Sequence, residues 1–225
     1  MKKAVVLHSG GFDSSLCLAL AVKDFDASSL VSLSFYYGQR NASELVQAEK
    51  ISKAWGIDHV QFSLDFLSSI TENALIGSAI PIQHEANQTA NTLVTGRNGL
   101  FARIAAIYAE HLGAACLYMG VREEEALEKG YRDCSRSYMD LKQEILRIDL
   151  GNPSFEIRTP LVHMSKKQVM ERSYQEGIFE FLFHETISCY EGIAGWGCKH
   201  CPTCIERNGA IQHFLLNSSL QRKDL

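Results

Sequence analysis

A short apolar run, Ala4-Val5-Val6-Leu7, leads through His8 into Ser9-Gly10-Gly11-Phe12-Asp13-Ser14, and this junction constrains the fold more than any other stretch. Two adjacent glycines let the backbone adopt conformations closed to other residues, and let its N–H groups approach an anion with no Cβ in the way. Residues 14–22 then read as a helix whose N-terminal N–H groups and positive dipole end face the same anion. Strand, glycine turn and helix in this order are suited to hold phosphate, so an ATP-using enzyme is the leading expectation. An aspartate beside phosphate is unfavourable unless it binds a cation, so Asp13 is expected to hold Mg2+, a hard ion that prefers carboxylate and phosphate oxygens. Neither G-x-x-x-x-G-K-[ST] nor G-x-G-x-x-G occurs. A plain strand-to-helix turn with a serine cap is the competing reading.

The rest of the chain alternates. Strands are expected at 30–37, 60–64, 114–119 and 155–159, and helices at 42–55, 100–111, 138–148 and 166–176. This order predicts an α/β fold, a parallel sheet with helices on both faces, with ligands gathered at the carboxyl ends of the strands. The glycine loop, Tyr37-Gly38, Gly120-Val121 and Thr159-Pro160 all fall at such ends and should share one crevice. Residues 68–95 carry Pro81, three asparagines and little periodicity, and read as a long surface excursion of the kind that is often functional. The stripe Leu100, Ile104, Ile107, Tyr108 and Leu112 is read as core packing, and Glu123-Glu124-Glu125 as a solvated loop or helix start.

Seven cysteines, four of them in Cys189-x8-Cys198-x2-Cys201-x2-Cys204, are better explained by metal than by disulfides in a reducing compartment. Thiolates suit Zn2+, and two-residue spacings let sulfurs converge on one tetrahedral ion. Four sulfurs leave no open coordination position, so a structural zinc is expected, with an iron–sulfur cluster as the rival. His200 could replace one cysteine. His8, His84, His163 and His184 show no metal spacing among themselves. Cys17 and Cys116 are expected as small buried core residues. The expected division is an α/β domain over 1–185 and a metal-binding segment over 186–225.

At 225 residues the chain is long enough to bury a substantial core. A net charge of −4, spread along the chain, gives no basic footprint for nucleic acid. No apolar stretch approaches the roughly 20 residues of a membrane helix, and the five apolar residues near Lys2-Lys3 are too few for a signal-peptide core. The expectation is a cytosolic enzyme without nucleic-acid or membrane partners.

The loop S-G-G-x-D-S resembles the pyrophosphate loop of N-type ATP pyrophosphatases, which adenylate a carboxylate or carbonyl oxygen and release pyrophosphate. Over nearly its whole length the chain resembles the 7-cyano-7-deazaguanine synthase family of the queuosine pathway. The matching stretches are Leu7-His8-Ser9-Gly10-Gly11-Phe12-Asp13-Ser14-Ser15, Phe35-Tyr36-Tyr37-Gly38-Gln39-Arg40, Gly96-Arg97-Asn98, Thr159-Pro160-Leu161 with Ser165-Lys166, and Ser188-Cys189-Tyr190 with Gly192 and the three later cysteines.

The resemblance implies a Rossmann-like fold of the adenine nucleotide alpha hydrolase type, ATP with Mg2+, a structural Zn2+ and a homodimer. It implies conversion of 7-carboxy-7-deazaguanine to an amide with ammonia and then to a nitrile. ATP would lie against the first of these stretches, with the Ser9, Gly10 and Gly11 backbone and the Ser14 hydroxyl on pyrophosphate. Arg97 and Lys166 are then the cations for developing phosphate charge, with a surface salt bridge as the bland alternative for each.

In Gly130-Tyr131-Arg132-Asp133-Cys134, Asp133 is expected to read the deazaguanine edge and Tyr131 to stack on it, with Gln39 and Arg40 also at the substrate. Arg132 stands where the family has proline, residues 122–129 are about two residues longer than usual, and Thr95 replaces the proline before Gly96. The acceptor side has thus diverged more than the nucleotide side. Alternatives are a ligase that stops at the amide or passes the acid to another amine, possibly on a protein, and a non-enzymatic zinc-stapled nucleotide sensor or RNA-binding module.

Overall fold

A computed structural model of the chain describes residues 1–76, 80–82 and 89–217. The elements run β1 (Ala4–Leu7), α1 (Phe12–Asp24), β2 (Leu30–Tyr36), α2 (Ser43–Ala54), β3 (Asp58–Ser63), a one-turn α3 (Leu67–Ile70), α4 (Arg97–His111), β4 (Cys116–Met119), α5 (Glu123–Lys129), α6 (Arg136–Leu150), β5 (Glu156–Arg158), α7 (Lys166–Gln175), α8 (Phe179–Glu185) and α9 (Pro202–Leu216). The strands form one parallel sheet in the order β3-β2-β1-β4-β5. The chain leaves β1 towards β2 on one side and later returns to β4 on the other. The crevice above the carboxyl ends of β1 and β4 is therefore the switch point at which such sheets bind ligands.

The apolar alternation in β1 builds both cores. Ala4 and Val6 point into a layer with Leu16 and Leu18 of α1, Val169 and Met170 of α7, Leu182 of α8 and Ile211 of α9. Val5 points the other way, into a layer with α4, α6, Leu33, Leu117 and Ile157. Central strands buried on both faces read as continuous hydrophobic runs for this reason.

The contact face of α4 differs from expectation. Its buried residues are Gly99, Ala102, Ala105, Ala106 and Ala109, while Ile107 is 55% exposed and Leu100, Ile104, Tyr108 and Leu112 pack only at the margin. Small side chains let α4 lie close to its neighbours. A Cβ on Gly99 would stand 2.0 Å from the Tyr138 hydroxyl of α6.

The acidic run opens α5, the helix start that is one of its two readings, while α3, α8 and α9 lie where no helix is expected, α8 and α9 each burying an apolar face against the first layer. Of the excursion over 68–95, residues 77–79 and 83–88, with His84, lie outside the described residues. No helix among the described residues is long and apolar enough to cross a membrane.

Candidate functional site

The glycine loop joins β1 to α1 at the switch point. Gly10 has φ of +81°, and a Cβ there would stand 1.9 Å from the Glu44 carbonyl oxygen in the first turn of α2. Only glycine satisfies both demands. Gly120, after β4, also passes close to α1, since a Cβ there would lie 3.0 Å from the Asp13 carbonyl oxygen. Within the loop the Ser14 hydroxyl accepts from the Ser9 N–H at 3.2 Å and donates to the Gly11 carbonyl at 3.1 Å.

Leu7, His8, Ser9, Gly11, Phe12, Asp13 and Ser14 border a cavity of about 310 Å3, whereas Gly10 and Ser15 do not. His8 is 1% exposed, with Nδ1 3.0 Å from the Ser32 hydroxyl and Nε2 2.9 Å from that of Ser15, which in turn donates to the Gly11 carbonyl at 2.8 Å. Burial, aided by His59, pushes its pKa down to about 3, so the ring is neutral. His8 and Ser15 hold the loop from behind.

On the far side of the loop lies a buried ionic cluster. The Lys166 ammonium pairs with Asp13 Oδ1, and Arg122 Nε donates to Asp13 Oδ2 at 2.9 Å. Burial alone would raise the Asp13 pKa, but Lys166 and then Arg122 outweigh it and hold the carboxyl down to about 2. A capping box at Ser165 and Gln168 starts α7 and fixes the backbone of Lys166 as its first residue.

Arg122 was not singled out from the sequence, yet it is the largest side chain in the fully buried set and 1% exposed. It also pairs with Glu124, with Glu125 at 3.2 Å and with Glu206 of α9 at 2.5 Å, and Glu206 pairs in turn with Lys129. The acidic run expected in solvent thus holds an arginine.

Asp13 does not make a magnesium site unaided. Its oxygens carry two cations, and no group of three or more acidic, histidine or cysteine ligands surrounds it among the described residues. A hard divalent ion would draw its remaining oxygens from the nucleotide.

The opposite wall of the cavity carries the acceptor-side residues. Arg97, first in α4, lies 5.5 Å from the Tyr37 ring and 5.8 Å from that of Phe101, and its Nη1 donates to the Tyr37 hydroxyl at 3.0 Å. Its Nε is buried without a partner. Asp133 lines the cavity, but its Oδ2 accepts the Asn98 N–H at 2.9 Å, so one oxygen already serves the N-terminus of α4. The Tyr131 hydroxyl bonds Thr92 at 2.5 Å. Gln39 is buried and clamps the turn after β2, accepting the Tyr37 N–H at 2.8 Å and donating to the Phe35 carbonyl at 3.1 Å. Arg40 does not border this cavity. It lies in a neighbouring groove with Tyr190, Glu191 and His200. Glu44, absent from the expected set, does border the cavity.

The four clustered cysteines converge, all their sulfurs lying within 4.8 Å of one another. Backbone N–H groups of Glu191 and Cys198 point at Cys189 Sγ at 3.4 Å, and that of Cys201 at Cys198 Sγ at 3.3 Å. Burial raises the Cys189 pKa, but the backbone N–H groups of Ile193, Cys198 and Glu191 outweigh it and lower it to about 7. Gly197 has no room for a side chain, since its Cβ would stand 2.4 Å from Cys204 Sγ. Four convergent sulfurs fit Zn2+, and their identity also suits an iron–sulfur cluster. His200 instead bonds Glu191 at 2.7 Å.

The cysteine segment touches the loop directly. The Ile187 N–H donates to the Gly10 carbonyl at 3.2 Å, and Ser188 Oγ accepts the Phe12 N–H at 3.4 Å. Asn41 Nδ2 donates to the Cys189 carbonyl at 2.8 Å.

The chain is similar in fold to the U34-tRNA thiolase NcsA from Methanococcus maripaludis, a protein described with its [4Fe-4S] cluster, at 15% identity and a TM-score of 0.50, over 97% of this chain and 67% of that one. A 4-thiouridine synthetase in complex with RNA and ATP aligns at 17% identity and a TM-score of 0.47, over 96% of this chain and about half (52%) of that one. The NMN synthetase from Francisella tularensis aligns at 15% and 0.47, over 98% and 88%. The model of the queuosine biosynthesis protein QueC matches residues 3–215. With the glycine loop, the switch-point cavity and the four cysteines all inside that span, the chain belongs to the QueC family.

Proposed function

We propose that the protein is an ATP-dependent C–N ligase that adenylates the carboxylate of 7-carboxy-7-deazaguanine, forms the amide with ammonia and then the nitrile, releasing AMP and pyrophosphate. The observation that carries this reading is that the glycine loop, Lys166 and Arg97 all open on one cavity. A carboxylate resists amines because it is anionic and its oxygen leaves poorly. Adenylation removes both obstacles.

Each residue has a physical task. The loop N–H groups and the α1 N-terminus bind phosphate oxygens. Lys166, held over Asp13, supplies positive charge where the departing pyrophosphate gathers negative charge, an effect that is large in a site shielded from water. Asp13 keeps Lys166 and Arg122 at a fixed spacing. Arg97, stacked on Tyr37 and Phe101 with one N–H uncommitted, is placed to take an oxygen of the substrate acid or its phosphoryl group. Tyr131 and the free oxygen of Asp133 border the space for a planar heterocycle. The four cysteines would hold Zn2+, which supplies a structural cross-link.

Incubation of metal-replete protein with ATP, ammonia and 7-carboxy-7-deazaguanine, followed by AMP and product mass together, tests the reading. Two AMP per nitrile is the expected result. A mass fitting only the amide, or transfer to another amine, selects the alternative ligase. ATP binding without AMP release defeats both.

A further inference from the structure

Five carboxylates border the reaction cavity, and in four of them an oxygen is held by a cation or a backbone N–H. Asp13 serves Lys166 and Arg122, Glu125 and Glu206 serve Arg122 and Lys129, and Asp133 accepts the Asn98 N–H. Glu44 is the exception. It lines the cavity from the first turn of α2, its backbone carbonyl lies against Gly10, and it forms no salt bridge with a described residue. Gln39 donates to it, while Arg97 and Tyr37, just after β2, are the charged and titratable groups that act on it or feel it.

We infer that Glu44 is the general base that takes the proton from the amine nitrogen as it displaces AMP from the activated acid. This rests on the ligase reading. The amine nitrogen bonds the acyl carbon, the bond from that carbon to the AMP oxygen breaks with its electron pair on AMP, and one nitrogen proton passes to the Glu44 carboxylate and then to solvent. In nitrile formation a second ATP adenylates the amide oxygen with loss of pyrophosphate, one nitrogen proton passes to the Glu44 carboxylate, and the carbon–oxygen bond to AMP breaks with its electron pair on AMP. The last nitrogen proton leaves by the same route as the carbon–nitrogen triple bond completes.

The environment suits this task. Burial raises the Glu44 pKa to about 8, with Arg97 and Gln39 pulling it back, and a base works best when its pKa lies near the working pH. A carboxylate already neutralised by arginine or lysine, as Asp13 is, has too little basicity to compete. Glu44 also sits beside the loop without pairing to its cations, so it can change charge without disturbing the phosphate grip.

The test separates activation from amine transfer. Glu44→Gln keeps the shape and removes the base. Amide formation is expected to fall on the order of 10² to 10³-fold, exceeding any fall in substrate-dependent ATP–pyrophosphate exchange by at least about 30-fold. The limb of the pH–rate profile in which activity rises as the carboxyl ionises is expected to vanish. Glu44→Asp, which keeps a carboxylate, is expected to restore that limb at a reduced rate, and covers the case in which the glutamine variant fails to fold. Near-normal amide formation in Glu44→Gln, or equal losses in exchange and amide formation, overturns the inference while leaving the ligase reading standing. Wild-type protein that gives neither exchange nor amide overturns both.

Discussion

The two walls of the cavity are built on opposite principles. On the glycine-loop wall the charged groups are paired: Asp13 has two cations and Arg122 four carboxylates. On the facing wall Arg97 has a buried Nε with no partner, and Glu44 has no ion pair among the described residues. Burying an unpaired polar group costs about 1–3 kcal/mol, so such groups persist where a ligand completes them. On the proposed ligase reading, the saturated wall would be preorganised for a constant moiety, the phosphates, and the unsaturated wall would keep its valences for the reacting acid and amine.

Breaking the saturated wall should have the largest effect. Lys166→Ala removes a cation aimed at developing phosphate charge, and exchange of labelled pyrophosphate into ATP should fall about 10² to 10³-fold. Gly10→Ala forces a Cβ into the Glu44 carbonyl at a positive φ, and the shifted loop should lower the same exchange about 100-fold. If either variant exchanges normally, that wall does not bind pyrophosphate.

On the unsaturated wall, Arg97→Met keeps the stacking surface and loses the charge-assisted donors, worth about 1.5–3 kcal/mol each. KM for the acid should rise about tenfold or more, with KM for ATP moving less. Equal shifts in both would erase the distinction between the walls.

A smaller effect probes what stands behind the loop. The folded chain holds His8 neutral down to about pH 3, whereas an unfolded histidine binds a proton below about pH 6.5. The unfolded state therefore holds more protons in that window, and stability is lost as pH falls from about 6.5 towards 3, at up to about 1.4 kcal/mol per unit from this group. Urea midpoints of His8→Gln measured between pH 7 and 4.5 should show a shallower slope. Smallest of all is Ile107→Gln on the outer face of α4, expected to change stability by no more than about 0.5 kcal/mol. A loss of several kcal/mol would restore Ile107 to the core.

What the sequence disclosed followed from how local each signal is. The strand, glycine turn and helix lie within 25 consecutive residues, and three of the four metal-site cysteines within seven, so both could be read along the chain. The ionic cluster could not. It joins Asp13, Arg122, Lys166 and Glu206, which lie far apart in the chain, and two further members, Glu124 and Glu125, occur in a run whose composition suggests solvent. The α4 face misled for another reason, since alanine is weakly hydrophobic yet is the residue that permits close approach. Asp133 was identified by type and position, but its use in holding a helix start depends on a backbone N–H that no side-chain pattern reveals.

The cysteine segment reaches the glycine loop by three routes, through the backbone of Ile187 at Gly10, through the Ser188 hydroxyl at Phe12, and through Glu206 on Arg122, which in turn holds Asp13. Removing a metal held by these cysteines, or oxidising the thiols, would slacken these tethers at once, and Ile187, Ser188 and Glu206 themselves border the cavity. A chelator should thus behave as a non-competitive inhibitor, one that no excess of ATP can displace.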